Sequence, residues 1–315
     1  MGNEAPLRLS VIVPTHERPE ALRRCLETLR AQDLARERFE VLVVDDGSRS
    51  DIAAVVDSVA AAGAVAGAVA MRCERQPNGG LNSARNRGAQ AATGDVLAFL
   101  DDDTLVSRGW AAAMLSAFER QPCAAVGGRV ELSLEGPAPG WLTVRRYYLA
   151  EYDLGSEPSW LEDDPVPVGA NCAVRRSDFE RIGGFRPGLD RVGGSLVSNG
   201  DTEFFRRLRA AGGRLRYEPA AHVLHCVPAE RLTVPFFVRR HHSQGVSDEL
   251  MFALEQPAPP ARRAARAARA LARQAPAMTN TVLRDLARGR GLINARFFAA
   301  YWRGRFAALR LPAPG

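Results

Sequence analysis

The strongest constraint on this chain is a set of three short apolar runs, each stopped abruptly by Pro or by carboxylates. Leu9-Ser10-Val11-Ile12-Val13 halts at Pro14, Val41-Leu42-Val43-Val44 halts at Asp45-Asp46-Gly47-Ser48, and Val96-Leu97-Ala98-Phe99-Leu100 halts at Asp101-Asp102-Asp103. Continuous apolar runs with β-branched residues are strands buried on both faces. The segments between them carry helical spacing: residues 19–31, 52–62 and 81–92 place apolar or small residues on one face, the first with Pro at its start. Strand and helix in alternation predict an α/β fold, a mostly parallel, Rossmann-like, doubly wound sheet with helices on both faces. Ligands of such sheets bind outside the carboxyl ends of the strands, where Pro14-Thr15-His16-Glu17, Asp45-Asp46 and Asp101–Asp103 all fall.

Further along, residues 65–73 read as a weaker strand, Asn78-Gly79-Gly80 opens a helix, and residues 110–120 form another. Residues 124–128 read as a strand and turn, and residues 133–167 as irregular chain rich in Trp and Tyr. A strand at 169–174 precedes a short helix capped by Ser177 and stopped by Gly183-Gly184. Asn199-Gly200-Asp201-Thr202-Glu203 opens a helix, and a strand after Tyr217 carries His222 and His225 on opposite sides. Gln256-Pro257-Ala258-Pro259-Pro260 is a linker. The expected organisation is therefore one domain over 1–255, with halves at about 7–105 and 106–255, and an Arg-rich helical extension over 256–315. In that extension Arg262, Arg266, Arg269 and Arg273 share one helix face, and a second segment mixes Phe, Tyr and Trp with Arg. Such helices suit a peripheral contact with anionic headgroups, packing on the first domain, or a homodimer contact.

The bulk numbers narrow the classes. Hydrophobic residues at 46% and charged residues at 25% are those of a globular protein with a real core. The net charge is +6 and all 42 basic residues are Arg, which with heavy Ala usage reads as compositional bias, not as nucleic-acid binding. Five scattered Cys without CxxC spacing favour reduced thiols in a cytoplasmic protein. The polar start gives no sign of a signal peptide, and no apolar run is long enough to span a bilayer, so the expectation is cytoplasmic or peripheral at the inner face of the membrane. The first strand is not followed by GxGxxG, and GxxxxGK[ST] is absent, which disfavours a dinucleotide cofactor and a P-loop. Three adjacent Asp at a strand tip repel one another unless a cation is nearby. Strand alternation would put Asp101 and Asp103 on one face, suited to a hard divalent ion that also holds phosphates, with Asp102 turned away.

Together these motifs resemble the family 2 glycosyltransferases, with the nucleotide-diphospho-sugar transferase fold called GT-A. The matching pieces are Val11-Ile12-Val13-Pro14-Thr15, Val43-Val44-Asp45-Asp46-Gly47-Ser48, Asn78-Gly79-Gly80 running into Ala84-Arg85-Asn86-Arg87-Gly88, Phe99-Leu100-Asp101-Asp102-Asp103, Gly183-Gly184-Phe185 and Asp201-Thr202-Glu203-Phe204. The resemblance covers roughly residues 7 to 250. It implies that Pro14, Thr15, Glu17, Asp45, Asn78, Gly80, Arg85, Asp101 and Asp102 surround the nucleotide sugar. It implies a divalent ion, Mn2+ or Mg2+, on Asp103 and Asp101 with His225 completing the set. It also implies inversion by one displacement with Asp201 as general base, a UDP-sugar as donor, and an acceptor left undefined. The family usually has Glu-Asp where this chain has Gly200-Asp201, and the Gln-x-x-Arg-Trp signature of processive synthases is absent, which favours addition of a single sugar. An inactive nucleotide-sugar-binding scaffold and a nucleotidyltransferase stay open as alternatives.

Overall fold

The computed structural model describes residues 6–62, 69–191, 195–287 and 291–311. The expected strand at 65–73 thus lies partly outside the described residues. Four strands, β1 (Leu9–Thr15), β2 (Phe39–Asp45), β3 (Ala70–Arg75) and β4 (Val96–Leu100), alternate with helices α1 (Pro19–Arg30), α2 (Ile52–Ala61) and α3 (Leu81–Ala91). β1, β2 and β4 are buried at every residue, which is why they read as unbroken apolar runs. β3, at the sheet edge, carries Arg72, Glu74 and Arg75 and is only partly covered.

The chain continues through β5 (Thr104–Val106), α4 (Trp110–Arg120), β6 (Ala125–Leu134), β7 (Ser159–Trp160), β8 (Asn171–Arg175), α5 (Arg176–Ile182), α6 (Gly200–Ala210) and β9 (Leu215–Val227). One sheet holds all nine strands in the order β3-β2-β1-β4-β8-β6-β9-β5, with β7 paired to β9. The parallel part is β3-β2-β1-β4; β4–β8, β8–β6 and β5–β9 are antiparallel. The register sets Thr15 beside Asp45, and Ile12 beside Phe99, so the chain leaving β4 emerges next to the tip of β1. Gly88 fixes how near α3 comes: a Cβ there would lie 2.4 Å from Ile12 Cγ2, so the helix rests directly on β1. Behind the sheet tips, Trp110 Nε1 donates to Asn171 Oδ1 (2.8 Å), and Asn171 Nδ2 donates to the carbonyls of Arg129 and Ala221, tying α4, β8, β6 and β9 together.

Some boundaries differ from the sequence reading. β6 runs well beyond residue 128: its pairing with β8 ends at Gly127, and β9 is its neighbour on the other side. The stretch from 133 to 167 is not wholly irregular: it holds β7 and a bridge between Val130 and Tyr152. Ser177 does not cap α5; the cap position belongs to Arg175, with no side-chain hydrogen bond.

The molecule divides into two compact units, Met1–Ser133 with Arg146–Phe185 and Asp201–Val227, and Leu134–Arg145 with Arg186–Gly200 and Pro228–Gly315. The boundary expected at 255/256 falls inside the second unit, where α7 (Val234–Glu255), α8 (Pro260–Ala287) and α9 (Ile293–Ala308) pack together. Trp141 stacks edge-on against Phe237 and Phe297, and His241 lies flat on Phe297 at 4.6 Å. Glu249, fully buried, takes Arg305 at 2.6 Å, Arg263 at 3.2 Å and Arg266 at 3.3 Å. Among the described residues no helix is long and apolar enough to cross a membrane, and the five Cys are free thiols.

Candidate active site

The carboxylates after β4 do not continue the strand. Thr104 N–H donates to Asp101 C=O, closing a turn over Asp101–Thr104, so strand alternation ends at Leu100. The expectation that Asp101 and Asp103 share a face while Asp102 turns away is therefore corrected: Asp102 and Asp103 act together and Asp101 stands apart. Arg18, at the cap position of α1, donates from Nη1 to Asp102 Oδ1 (2.9 Å) and Asp103 Oδ2 (3.0 Å). Thr15 Oγ1 donates to the other Asp102 oxygen at 2.7 Å. Burial pushes the Asp102 carboxyl up to about 6, with Arg18 pulling the other way and Asp103 adding to the rise. Burial opposes charge on Arg18 as well, but the carboxylates of Asp102 and Asp103 outweigh it and raise its pKa.

His225, on β9 opposite Thr104, points at Asp103, with Nε2 3.1 Å from Oδ1. Its Nδ1 lies 2.7 Å from the carbonyl of Leu149, an acceptor only, so Nδ1 carries the proton. Nε2 then faces a carboxylate either as a second N–H or as a lone pair, and in the lone-pair form both atoms are donors of the kind a divalent ion takes. This pair fits a divalent ion. Among the described residues no three His, Cys, Asp or Glu side chains converge as a metal site; Asp101, expected as the third ligand, is held by Arg85 instead. His222 faces Glu131 at 3.3 Å on the other side of β9.

Arg85 is buried on α3, one turn before Gly88. Its Nη2 reaches Asp101 Oδ1 at 3.2 Å and the carbonyl of Gly169 at 2.9 Å, and its guanidinium carbon sits 5.4 Å from the centre of the Phe185 ring. Gly169 leaves no alternative: a Cβ there would lie 2.5 Å from Arg85 Nη2. The N–H of the same Gly169 donates to Asp201 Oδ2 at 2.8 Å, and Thr202 N–H to Asp201 Oδ1 at 2.8 Å, in the first turn of α6. A continuous chain thus runs from Asp101 through Arg85 and the backbone N–H and C=O of one residue, Gly169, to Asp201.

The other predicted nucleotide residues are placed as follows. Asp45, buried at the tip of β2, accepts from Ser48 N–H at 2.8 Å and lies 3.5 Å from Arg75 Nε. Glu17, in the left-handed region at φ +56°, binds the next loop: its carboxylate accepts from Arg49 N–H at 2.7 Å and Ser50 Oγ at 3.0 Å. The Arg49 bond is the main reason its pKa is lowered. Pro14 precedes Thr15 in β1, and Asn78 Nδ2 lies 3.4 Å from the His16 ring. Gly80, at φ +91°, caps α3, but its N–H and that of Gly79 are taken by the two oxygens of Asp46 at 2.9 and 2.8 Å. That turn is organised by a carboxylate from this chain, not left open as a cradle for phosphate. Arg18 and Gly169 are the site residues that sequence reading passed over, and Asp46, noted in its acidic pair at a strand tip, was given no role of its own.

A parallel sheet with Thr15 and Asp45 at its strand tips, an acidic turn after β4 held by Arg85 of α3, and an antiparallel half with His225 on β9 and Asp201 at the start of α6, is the architecture of the GT-A nucleotide-sugar transferases. The chain belongs to glycosyl transferase family 2, whose model matches residues 10–183, and it is a glycosyltransferase. It is 30% identical over 249 residues to the succinoglycan biosynthesis protein ExoM of Rhizobium meliloti, spanning 78% of this chain and 75% of that protein. It is 28% identical over 249 residues, 78% of this chain and 77% of the other, to a glucosyl-dolichyl phosphate glucuronosyltransferase of Haloferax volcanii. Among solved structures, the mannosyltransferase PcManGT of Pyrobaculum calidifontis, in complex with GDP-Man and Mn2+, shares the fold with a TM-score of 0.62 at 20% identity, covering 96% of this chain and 88% of that one.

Proposed function

We propose that this enzyme transfers a single sugar, with inversion, from a nucleoside-diphosphate sugar to an acceptor hydroxyl, with Asp201 as the general base and a UDP-sugar as the first donor to test. The observation that carries this reading is the link from Asp201 through Gly169 and Arg85 to Asp101. It ties a carboxylate suited to proton abstraction to the acidic turn that faces a donor. In the reaction the acceptor oxygen attacks the anomeric carbon as Asp201 takes its proton, and the bond from that carbon to the diphosphate oxygen breaks on the opposite face. Each Asp201 oxygen spends one lone pair on a backbone N–H, which fixes the carboxylate plane and leaves the second lone pair for the acceptor proton. Arg18 and Arg85 hold the carboxylates of the turn in place. Asp103 and His225 would hold a divalent ion, Mn2+ or Mg2+, which when bound supplies positive charge to the leaving diphosphate.

The test is UDP release and sugar transfer with UDP-sugars and Mn2+. Asp201→Asn is expected to slow turnover by about 10²–10⁴-fold, the contribution typical of a positioned base, with donor affinity preserved. Equal turnover in wild type and Asp201→Asn would refute the assignment.

A further inference from the structure

The second unit contains a cavity of about 430 Å3, walled by residues 195–196, α7 and α9, whose lining includes none of the residues assigned to the transfer. Its polar lining is one-sided. Arg239, His242 and Arg303 supply cations or N–H donors, Ser195 and Ser243 supply hydroxyls, and no Asp or Glu takes part. The other wall is apolar, with Phe236 and Val238 half-buried. Elsewhere in this unit Arg263, Arg266 and Arg305 are paired on the one carboxylate of Glu249. Arg239 and Arg303, in contrast, are exposed and make no ion pair or hydrogen bond among the described residues. Two guanidinium groups drawn from different helices to one cavity repel each other, and an anion between them removes that cost.

The wall is also rigid. A Cβ on Gly304 would lie 1.9 Å from the carbonyl oxygen of His242, and one on Gly245 would lie 2.0 Å from that of Tyr301. The backbones of α7 and α9 therefore touch right beside His242 and Arg303, which fixes where those two side chains leave their helices. The surrounding field has the matching sign. Residues 256–315 hold twelve Arg and a single acid, Asp285, a net +11, so the first 255 residues carry −5 within a chain of +6.

We propose that this cavity binds a phosphate borne on an apolar chain, that is, a lipid phosphate. The guanidinium forks of Arg239 and Arg303 match phosphate oxygens in pairs, the two hydroxyls donate to the remainder, and Phe236 with Val238 cover the first carbons of the chain. A volume of this size falls in the range of small-ligand sites.

Titration calorimetry on the full chain, without donor or metal, tests this with decyl phosphate below its micelle concentration, inorganic phosphate and decanol. Decyl phosphate is expected to bind at least tenfold more tightly than either of the others. The double substitution Arg239→Gln/Arg303→Gln is expected to weaken it tenfold or more, with circular dichroism and UDP affinity unchanged. Arg269→Gln/Arg273→Gln removes the same charge from the exposed face of α8 and is expected to leave decyl phosphate binding intact. Wild-type affinity in Arg239→Gln/Arg303→Gln overturns the site. Equal binding of decanol overturns the phosphate, and equal binding of inorganic phosphate overturns the lipid. None of these readouts depends on catalysis, so the cavity and the transfer reaction stand or fall separately.

Discussion

Gly169→Ala is the most incisive perturbation of the proposed catalytic link, since it adds one methyl where the structure has no room. The new Cβ would lie 2.5 Å from Nη2 and 2.8 Å from Cζ of Arg85, a side chain with 5% of its surface exposed. Overpacking of this kind costs about 1–3 kcal/mol. If the guanidinium moves instead, it loses contacts at 3.2 Å to Asp101 and 2.9 Å to Gly169 C=O, each charge-assisted and worth about 1.5–3 kcal/mol. The cheaper route sets the cost, so a loss of about 1–3 kcal/mol in unfolding free energy is expected by urea titration, with weaker UDP binding because the hold on Asp101 is loosened. The decisive comparison is the double-mutant cycle with Arg85→Ala. Once Arg85 is truncated the methyl has space, so Gly169→Ala should then cost less than about 0.5 kcal/mol. If the substitution is equally costly in both backgrounds, Arg85 and Gly169 are not coupled and the link to Asp201 has no energetic content.

Three further outcomes follow from the geometry. Asp103→Ala or His225→Ala should abolish the enhancement of donor binding by Mn2+, seen calorimetrically as a tenfold or greater loss with the ion present and little change without it; an undiminished Mn2+ effect would exclude this pair as ligands. His241, whose pKa burial pushes from 6.5 down to about 4, is neutral in the fold while the unfolded chain takes up its proton first. That stability is complete above pH 6.5 and is lost as pH falls toward 4, by about 3 kcal/mol at most; His241→Phe should flatten the fall in melting temperature over that interval. Glu249→Ala strands three arginines that are now paired on a fully buried carboxylate, and should destabilise the second unit by about 3–5 kcal/mol; a smaller loss in thermal unfolding would mean that the arginines find water.

What the sequence revealed tracks how local the cause is. β1, β2 and β4 were legible because burial on both faces leaves only apolar residues over five to seven positions, and the same burial forces polar chemistry to the tips. The geometry of the acidic turn was not legible, since periodicity holds only while the strand does, and the chain bends at Asp101. Nor was the use of Gly79 and Gly80: the carboxylate that takes their N–H groups is Asp46, more than thirty residues away. Gly169 resembles any other glycine until the fold brings Arg85 across it. The break at Pro257–Pro260 is real as a helix boundary, yet it does not separate compact units, because α7 packs on α9 from beyond it. Likewise the four, three and four spacing of α8 marked Arg262, Arg266, Arg269 and Arg273; of these Arg266 reaches Glu249 at 3.3 Å, while the more deeply buried α8 partner, at 3.2 Å, is Arg263 outside that set.

The paired notches at Gly245 and Gly304 bear on more than the cavity beside them. A helix contact made of side chains tolerates sliding, since ridges find new grooves one turn, about 5.4 Å, along. Two glycines set against opposing carbonyls have a single axial setting, like a key cut at two depths. That setting is also the one in which Tyr301 reaches Asp248 at 2.7 Å and Arg305 reaches Glu249 at 2.6 Å. A slip of one turn would drive a larger residue into each notch and separate both polar pairs at once. The glycines thus act as a vernier for the second unit, excluding misregistered packings of α7 and α9 that their apolar residues alone would permit.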